Sequence, residues 1–323
     1  MKCFVTGANG FIGRHLVSGL LAAGYAVRAA TSSGQIEALG EDLPIGAKTP
    51  EIVRVAQGAL EPAVWQAVCR DVEIVFHLAG RAQRGKDALP GARQEYFRDN
   101  LQLTRVLAEA ALAARVKRFV FASSVTVYGA SSAGGQAFRE DSPPLPEDAY
   151  AQSKLATEEF LLAKGGDLAP VIVRLPLVYG AGVKGNMAAL ARLAQSGLPL
   201  PLAGINNRRS FVNIPNCVDF LLAAACHPES GGRVLLVSDR EDVATPDLLR
   251  MLAHAAGKRA RLFAVPPPLL QMACTLLGQK ARFAKISGNF QIDPAASCAL
   301  LGWQPRVSLA EGIAGMCAKL RDS

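Results

Sequence analysis

Only four histidines occur in 323 residues, and the seven cysteines (Cys3, Cys69, Cys217, Cys226, Cys274, Cys298, Cys317) form no Cys-x-x-Cys pair. A zinc centre needs such ligands closely spaced, so no metal site is expected. Dispersed thiols in odd number also exclude a disulfide framework and suit a reducing, cytoplasmic setting. No apolar run reaches the roughly 18–20 residues of a membrane span. The greasiest stretch, Leu269 to Leu277 after Pro266-Pro267-Pro268, is short and holds Gln271. It reads as a buried or lobe-packing helix, with weak interfacial contact as the alternative. Lys2 leads into a strand and a glycine turn, not into the apolar region of a secretory signal, so no signal peptide is expected.

Charged residues make up only 19% of the chain and hydrophobic ones 50%, which excludes disorder. The charge there is leans positive, +8 from 35 Lys and Arg against 27 Asp and Glu. Such a balance suits an anionic partner. The basic residues read as spread along the chain, without a basic arm or a nucleic-acid motif, so nucleic acid is not expected. Phosphates on a nucleotide cofactor and on a nucleotide-activated substrate account for the excess more economically.

What is present begins at once. The apolar triplet Cys3-Phe4-Val5 breaks at Thr6 into Gly7-Ala8-Asn9-Gly10-Phe11-Ile12-Gly13, and Phe11 to Ala23 has helical spacing. Strand, glycine turn and helix follow. Gly7 permits the turn, Gly10 lets backbone N–H groups approach a pyrophosphate at the helix N-terminus, and Gly13 lets the helix lie close on the strand. Tyr25 to Ala30 supplies a second strand. The segments Ile52–Val55, Ile74–His77, Phe119–Ser124, Val171–Leu175 and Arg233–Ser238 add further strands, alternating with helices over 100–114, 150–162, 186–196 and 216–226. This alternation predicts an α/β fold: a Rossmann doubly wound parallel sheet with a smaller C-terminal α/β substrate lobe. Residues 1–180 with about 211–240 form the dinucleotide domain in this reading, and about 181–210 with 241–323 form the lobe.

Tyr150-Ala151-Gln152-Ser153-Lys154 opens a helix, and a spacing of four puts the phenol and the ammonium on one face. Together with the strand end Ser123-Ser124 and the N-terminal glycine turn, in that order, the motif resembles the Ser/Thr-Tyr-Lys triad of the extended short-chain dehydrogenase/reductase superfamily, its epimerase and dehydratase branch. The likeness runs on to Leu301-Gly302-Trp303-Gln304-Pro305 near the end. It implies an enzyme that moves hydride between a nicotinamide cofactor and a nucleotide sugar. A phenol of pKa about 10 is a poor base near neutrality, so Lys154 and a positively charged nicotinamide must favour the phenolate. Tyr150 then exchanges the proton, Ser124 holds the substrate oxygen, and Lys154 anchors the nicotinamide ribose.

The resemblance assigns the cofactor to Gly7, Asn9, Gly10, Phe11, Ile12, Gly13, Thr31, Ser32, Leu78, Ala79, Gly80, Asn100, Ala122, Tyr150, Lys154 and Pro176. The substrate falls to Arg84 in a basic loop, Ser124, Asn186 and Arg209, the last suited to a diphosphate by its bidentate guanidinium. Asn100 and Asn186 read alternatively as helix caps. NAD-preferring relatives often end the second strand with an acid, and Val27 to Ser33 has none; NADP is therefore slightly favoured over NAD, with Arg28, Ser32 and Ser33 at hand for its 2′-phosphate. Dehydratases carry Thr-Asp-Glu where this chain has Ser124-Val125-Thr126, so elimination lacks its acid and base. Three readings stay open: 4-keto reduction of a UDP-4-keto-6-deoxy-N-acetylhexosamine in surface-polysaccharide synthesis, 4-epimerisation of a UDP-sugar, and a non-catalytic NADP sensor. A homodimer is expected, since the family pairs through helices such as those over 100–114 and 152–162.

Overall fold

A computed structural model describes residues 1–36, 48–82, 91–132 and 136–321. Arg84 lies outside the described residues. The first half alternates strand and helix: β1 (Lys2–Thr6), α1 (Phe11–Ala22), β2 (Ala26–Thr31), β3 (Glu51–Arg54), α2 (Pro62–Cys69), β4 (Ile74–His77), α3 (Ala92–Tyr96), α4 (Leu103–Ala113), β5 (Arg118–Ser124), α5 (Ala149–Ala163) and β6 (Pro170–Leu175). After the short β7 (Leu177–Tyr179) come α6 (Asn186–Gln195), β8 (Pro199–Leu200), β9 (Phe211–Asn213), α7 (Ile214–Cys226) and β10 (Arg233–Leu236). The chain ends with α8 (Thr245–Ala255), β11 (Arg261–Leu262), α9 (Pro267–Leu276), α10 (Lys280–Ser287), α11 (Ala295–Leu301) and α12 (Leu309–Arg321).

Seven parallel strands form one sheet in the order β10-β6-β5-β4-β1-β2-β3. Helices cover both faces, which is why β1, β5 and β6 read as continuous apolar runs rather than alternating ones. On one face Leu16, Val17 and Leu20 of α1 pack with Cys217, Phe220 and Leu221 of α7 over Val5, Val120 and Val173. On the other, Trp65 of α2, Leu107 of α4 and Leu161 of α5 pack over Phe4, Phe119 and Ile172. The strand order reverses between β1 and β4, and a crevice opens at the carboxyl ends there, where such sheets bind their ligands.

A third core, built by Met187 and Ala191 of α6, Leu249 and Leu252 of α8 and Ile313 and Met316 of α12, holds the C-terminal lobe. Cys298 and Trp303 from the tail join instead the core of the first face, where the Trp303 ring meets Phe220 of α7 edge-on and its Nε1 donates to Asp219 at 2.8 Å. The helix expected from Asn100 begins earlier, at Ala92, and widens to a π-helical segment over Phe97–Gln102 before resuming as α4. Such widening frees side chains and carbonyls for other bonds and is frequent at functional sites. Of the two readings of Leu269 to Leu277, burial fails, since α9 has no buried residue, while a lobe-packing face holds through Leu270 and Cys274.

Candidate active site

The glycine turn is as tight as the sequence requires. Gly7 has φ +66°, and a Cβ there would lie 2.8 Å from the Ala79 amide nitrogen, so β1 and the end of β4 touch backbone to backbone. A Cβ on Gly13 would fall 2.1 Å from the Gly7 carbonyl oxygen, which pins the start of α1 against the turn. Gly10, extended and unable to supply a side-chain cap, precedes α1, whose first turn holds no acid. An uncapped, acid-free N-terminus on a 12-residue helix beside a close-packed glycine turn fits a dinucleotide pyrophosphate. Asn9 Nδ2 donates to Ser33 Oγ at 3.4 Å, joining this turn to the tip of β2.

A cleft of about 220 Å³ at the carboxyl ends of β4, β5 and β6 is lined by Ser124, Tyr150 and Lys154 together with Ile12, Leu78, Gly80, Ala122 and Pro176. Three distant stretches thus meet where the sheet places its chemistry. Asp148 caps α5, its carboxylate accepting from the Ala151 amide at 2.8 Å, which sets Tyr150 in the first turn and Lys154 one turn on. Lys154 Nζ donates to the Ala122 carbonyl at 2.8 Å and lies 4.5 Å from the Phe121 ring centroid. Burial lowers its pKa to about 8, against the opposing attraction of Glu158. Burial likewise raises the Tyr150 phenol to about 12, with the Ser124 hydroxyl bond pulling the other way. Lys154 spends its bond on the strand carbonyl, so the free protein holds a neutral phenol.

Asn100 is not a cap. Its Oδ1 accepts from the Arg81 amide at 2.7 Å and its Nδ2 donates to Ser153 Oγ at 2.8 Å, while Ser153 donates to the Tyr150 carbonyl at 2.7 Å. The π-helical segment therefore braces both the β4 exit and the catalytic helix. Beneath it, His77 is fully buried between Thr6 Oγ1 at 2.7 Å and Thr104 Oγ1 at 2.8 Å. Thr104 donates to the Asn100 carbonyl, so its oxygen accepts from His77 Nε2 and the other ring nitrogen accepts from Thr6. Burial, reinforced by the Lys154 charge, drives this imidazole to about 3 and keeps it neutral. His77 is a packed strand-end residue, as its neighbours in sequence suggest.

Thr31 and Ser32 sit at the tip of β2, where the Thr31 hydroxyl accepts from the Gly34 amide at 2.8 Å. Arg28 does not reach that tip. Its side chain is buried, with Nε donating to Glu51 at 2.8 Å and Nη1 to the carbonyls of Val68 and Arg70, so a role at a 2′-phosphate is withdrawn. Arg54, from the end of β3, stands there instead and donates to the Ser32 carbonyl at 3.3 Å. Asn186 is exposed at the first position of α6 and makes no cap. Arg209 Nη1 donates to the Lys285 and Gly288 carbonyls at 2.7 and 3.2 Å, at the end of α10. Burial lowers its pKa.

Two neighbours, Arg81 and Glu158, escaped the sequence reading. Arg81 lines the cleft and is held by Glu95 and Asp99, each at 3.0 Å. Thr126, already singled out in the sequence, places its Oγ1 2.9 Å from Ser124 Oγ. Glu158, one turn beyond Lys154, is buried, accepts from Ser123, and forms a two-oxygen pair with Arg174 Nε and Nη2 at 2.6–3.1 Å. The i, i+4 spacing from Lys154 was the available signal for Glu158; its partner on β6 was not.

Residues 3–237 match the model of the NAD dependent epimerase/dehydratase family. The chain is 34% identical over 312 residues to a UDP-glucose 4-epimerase of Vibrio cholerae, covering 95% of this chain and 92% of that protein. It is 28% identical to a ceramide reductase of Caulobacter vibrioides, covering 96% and 88%. The solved structure of MoeE5 in complex with UDP-glucose and NAD superposes with a TM-score of 0.76 at 28% identity, covering 100% and 99% of the two chains.

Proposed function

The chain belongs to the NAD dependent epimerase/dehydratase family, and from that premise we propose that it transfers hydride at C4 of a UDP-sugar, in the direction of 4-keto reduction. The observation that carries the reading is the single cleft shared by Ser124, Tyr150 and Lys154. The substrate of that reduction is a UDP-4-keto-6-deoxy-N-acetylhexosamine. A reduced nicotinamide dinucleotide held in this cleft would supply hydride to C4. Tyr150 gives its phenolic proton to the C4 oxygen, so that a ketone becomes a secondary alcohol and the phenolate is reprotonated from solvent. Ser124 donates a hydrogen bond to the same oxygen and aligns it with the phenol. Lys154 holds the nicotinamide ribose, and its ammonium disfavours a proton left on Tyr150 once a ligand draws it from the Ala122 carbonyl.

Gly7, Asn9, Gly10, Phe11, Ile12 and Gly13 cradle the dinucleotide, with Leu78, Ala79, Gly80, Asn100, Ala122 and Pro176 around its nicotinamide half. Asn186 and Arg209 face the sugar diphosphate in this reading. The tip of β2, Thr31-Ser32-Ser33, lacks a carboxylate and has Arg54 beside it, which supports NADP as the cofactor and with it a reductant exchanged at each turnover. Val125 and Thr126, at the two positions where dehydratases carry acids, argue against 4,6-elimination. Epimerisation at C4 is the second reading, favoured by the likeness to the Vibrio cholerae protein.

Incubating the purified protein with UDP-4-keto-6-deoxy-N-acetylglucosamine and NADPH, and separately with UDP-glucose or UDP-N-acetylglucosamine, distinguishes the two. Stoichiometric NADPH oxidation supports reduction. A C4 epimer formed without net cofactor change overturns reduction in favour of epimerisation, and cofactor binding without either product overturns both in favour of a sensor.

A further inference from the structure

The positive charge is not spread along the chain. Residues 248–292 contain seven Lys and Arg and no Asp or Glu, so +7 of the net +8 lies there, and the remaining residues, 28 basic against 27 acidic, are nearly neutral. Among the described residues, this same stretch carries half of the large apolar side chains left in water. Phe263, Leu269, Met272, Leu276 and Leu277 are all exposed, the last two at 82% and 74%. Leu269, Met272 and Leu276 are spaced three and four apart and so share one side of α9, while Leu270 and Cys274, on the opposite side, seat the helix on the lobe core. No residue of α9 is charged.

Along the chain the charges flank this apolar helix on both sides. Lys258, Arg259 and Arg261 are exposed just before Phe263. Beyond Leu277, the Gln279 amide bonds back to the Cys274 carbonyl at 2.7 Å, and α10 starts immediately with exposed Lys280. Packing of α10 along α9 keeps its later Lys285 on the same part of the lobe. A contiguous apolar patch on an otherwise polar surface marks an interaction site, and the cations around it select the occupant. Two copies meeting through this face in a two-fold contact would set like charges against each other. Nucleic acid would satisfy the cations but give the exposed leucines nothing to bury against, and the patch offers a single aromatic ring for stacking. An anionic bilayer answers both features, taking the leucines among its acyl chains and the ammonium groups at its headgroups.

We propose that α9, with its flanking cations, is a peripheral docking surface for an anionic lipid bilayer, held at the interface without crossing it. The test is co-sedimentation of the full chain with phosphatidylcholine vesicles with and without phosphatidylglycerol, at low and high salt. Binding should require phosphatidylglycerol, weaken with salt, and fall about fivefold for each cation removed in Lys280→Gln and Lys258→Gln. Leu276→Glu with Leu277→Glu should reduce it at least tenfold while leaving turnover, circular dichroism and thermal midpoint unchanged, since both side chains are solvent-exposed. Equal binding to neutral vesicles, no binding, or binding indifferent to the two leucines overturns the proposal. Concentration-dependent dimerisation that the leucine changes abolish, without vesicle binding, assigns the face to a second copy. Retention on a DNA duplex that survives the leucine changes but not the lysine changes, without vesicle binding, assigns it to nucleic acid. Each of these outcomes is independent of whether the active site reduces or epimerises.

Discussion

Tyr150 and Lys154 carry opposite consequences of one burial. The phenol rises to about 12 and the ammonium falls to about 8, so each is pushed toward its neutral form until ligands arrive. Tyr150→Phe removes the proton donor but no packing: turnover should drop by roughly 10²–10⁴-fold while cofactor affinity, measured by calorimetry, stays within about twofold. Lys154→Met should abolish turnover and yet stabilise the fold. Between pH 8 and 10.5 the unfolded lysine holds more protons than the folded one, so stability of the natural protein rises with pH across that window, and below it the burial cost is fully present. The gain from methionine should therefore be on the order of 1–3 kcal/mol at pH 7 and vanish by about pH 10.5; denaturant unfolding at both pH values checks it, and an equal gain at each would contradict the assignment. The triad was legible because four-residue spacing on a helix fixes relative placement. The protonation state was not, because it depends on what covers the site: the Ala122 carbonyl, thirty-two residues upstream, takes the lysine bond that spacing alone would have aimed at the phenol.

The strands of the main sheet and the helices α1, α5, α6 and α7 came through from the pattern of apolar residues, with ends shifted by a residue or two, because parallel strands buried on both faces leave long apolar runs. The π-helical turn did not, since nothing in Phe97–Gln102 breaks helical periodicity and the widening answers partners elsewhere, Arg81 and Ser153. Asn100→Ala should leave the Arg81 amide unpartnered and loosen the start of α5, costing about 1–3 kcal/mol, with KM for the cofactor raised; a variant as stable and active as the parent would deny the bracing role. The pair that ties α5 to β6 is more costly to break. Glu158→Gln leaves the buried Arg174 guanidinium, one of whose Nη atoms already has no partner, without a counter-charge, and should destabilise by roughly 3–5 kcal/mol. Chemical denaturation with Arg174→Met combined with Glu158→Leu should recover much of that loss. The Arg209 reading illustrates the same limit: a guanidinium suits phosphate by type, but sequence could not reveal that carbonyls almost eighty residues later hold one of its nitrogens.

At the scale of the whole molecule, an effective cofactor at one hundred times its Kd should add about 2.7 kcal/mol, which for a chain of this length lifts the thermal midpoint by about 4 °C. Comparing NADP with NAD in that assay ranks the two directly, and Arg54→Ala should narrow any preference for NADP. The fold class was readable because the glycine turn opens a run in which strands and helices mostly alternate through β10; the gathering of charge was overlooked because it emerges only when acids are counted segment by segment. The tail holds one more consequence. Trp303 and Cys298 complete the apolar layer on the α7 face of the sheet, so the N-terminal half, though first off the ribosome, cannot finish its own interior until the chain beyond Trp303 has been made. At about 5–20 residues per second that leaves many seconds in which a half-built nucleotide fold shows an open greasy seam to the cell, the interval in which holdase chaperones should be found on nascent chains of this protein.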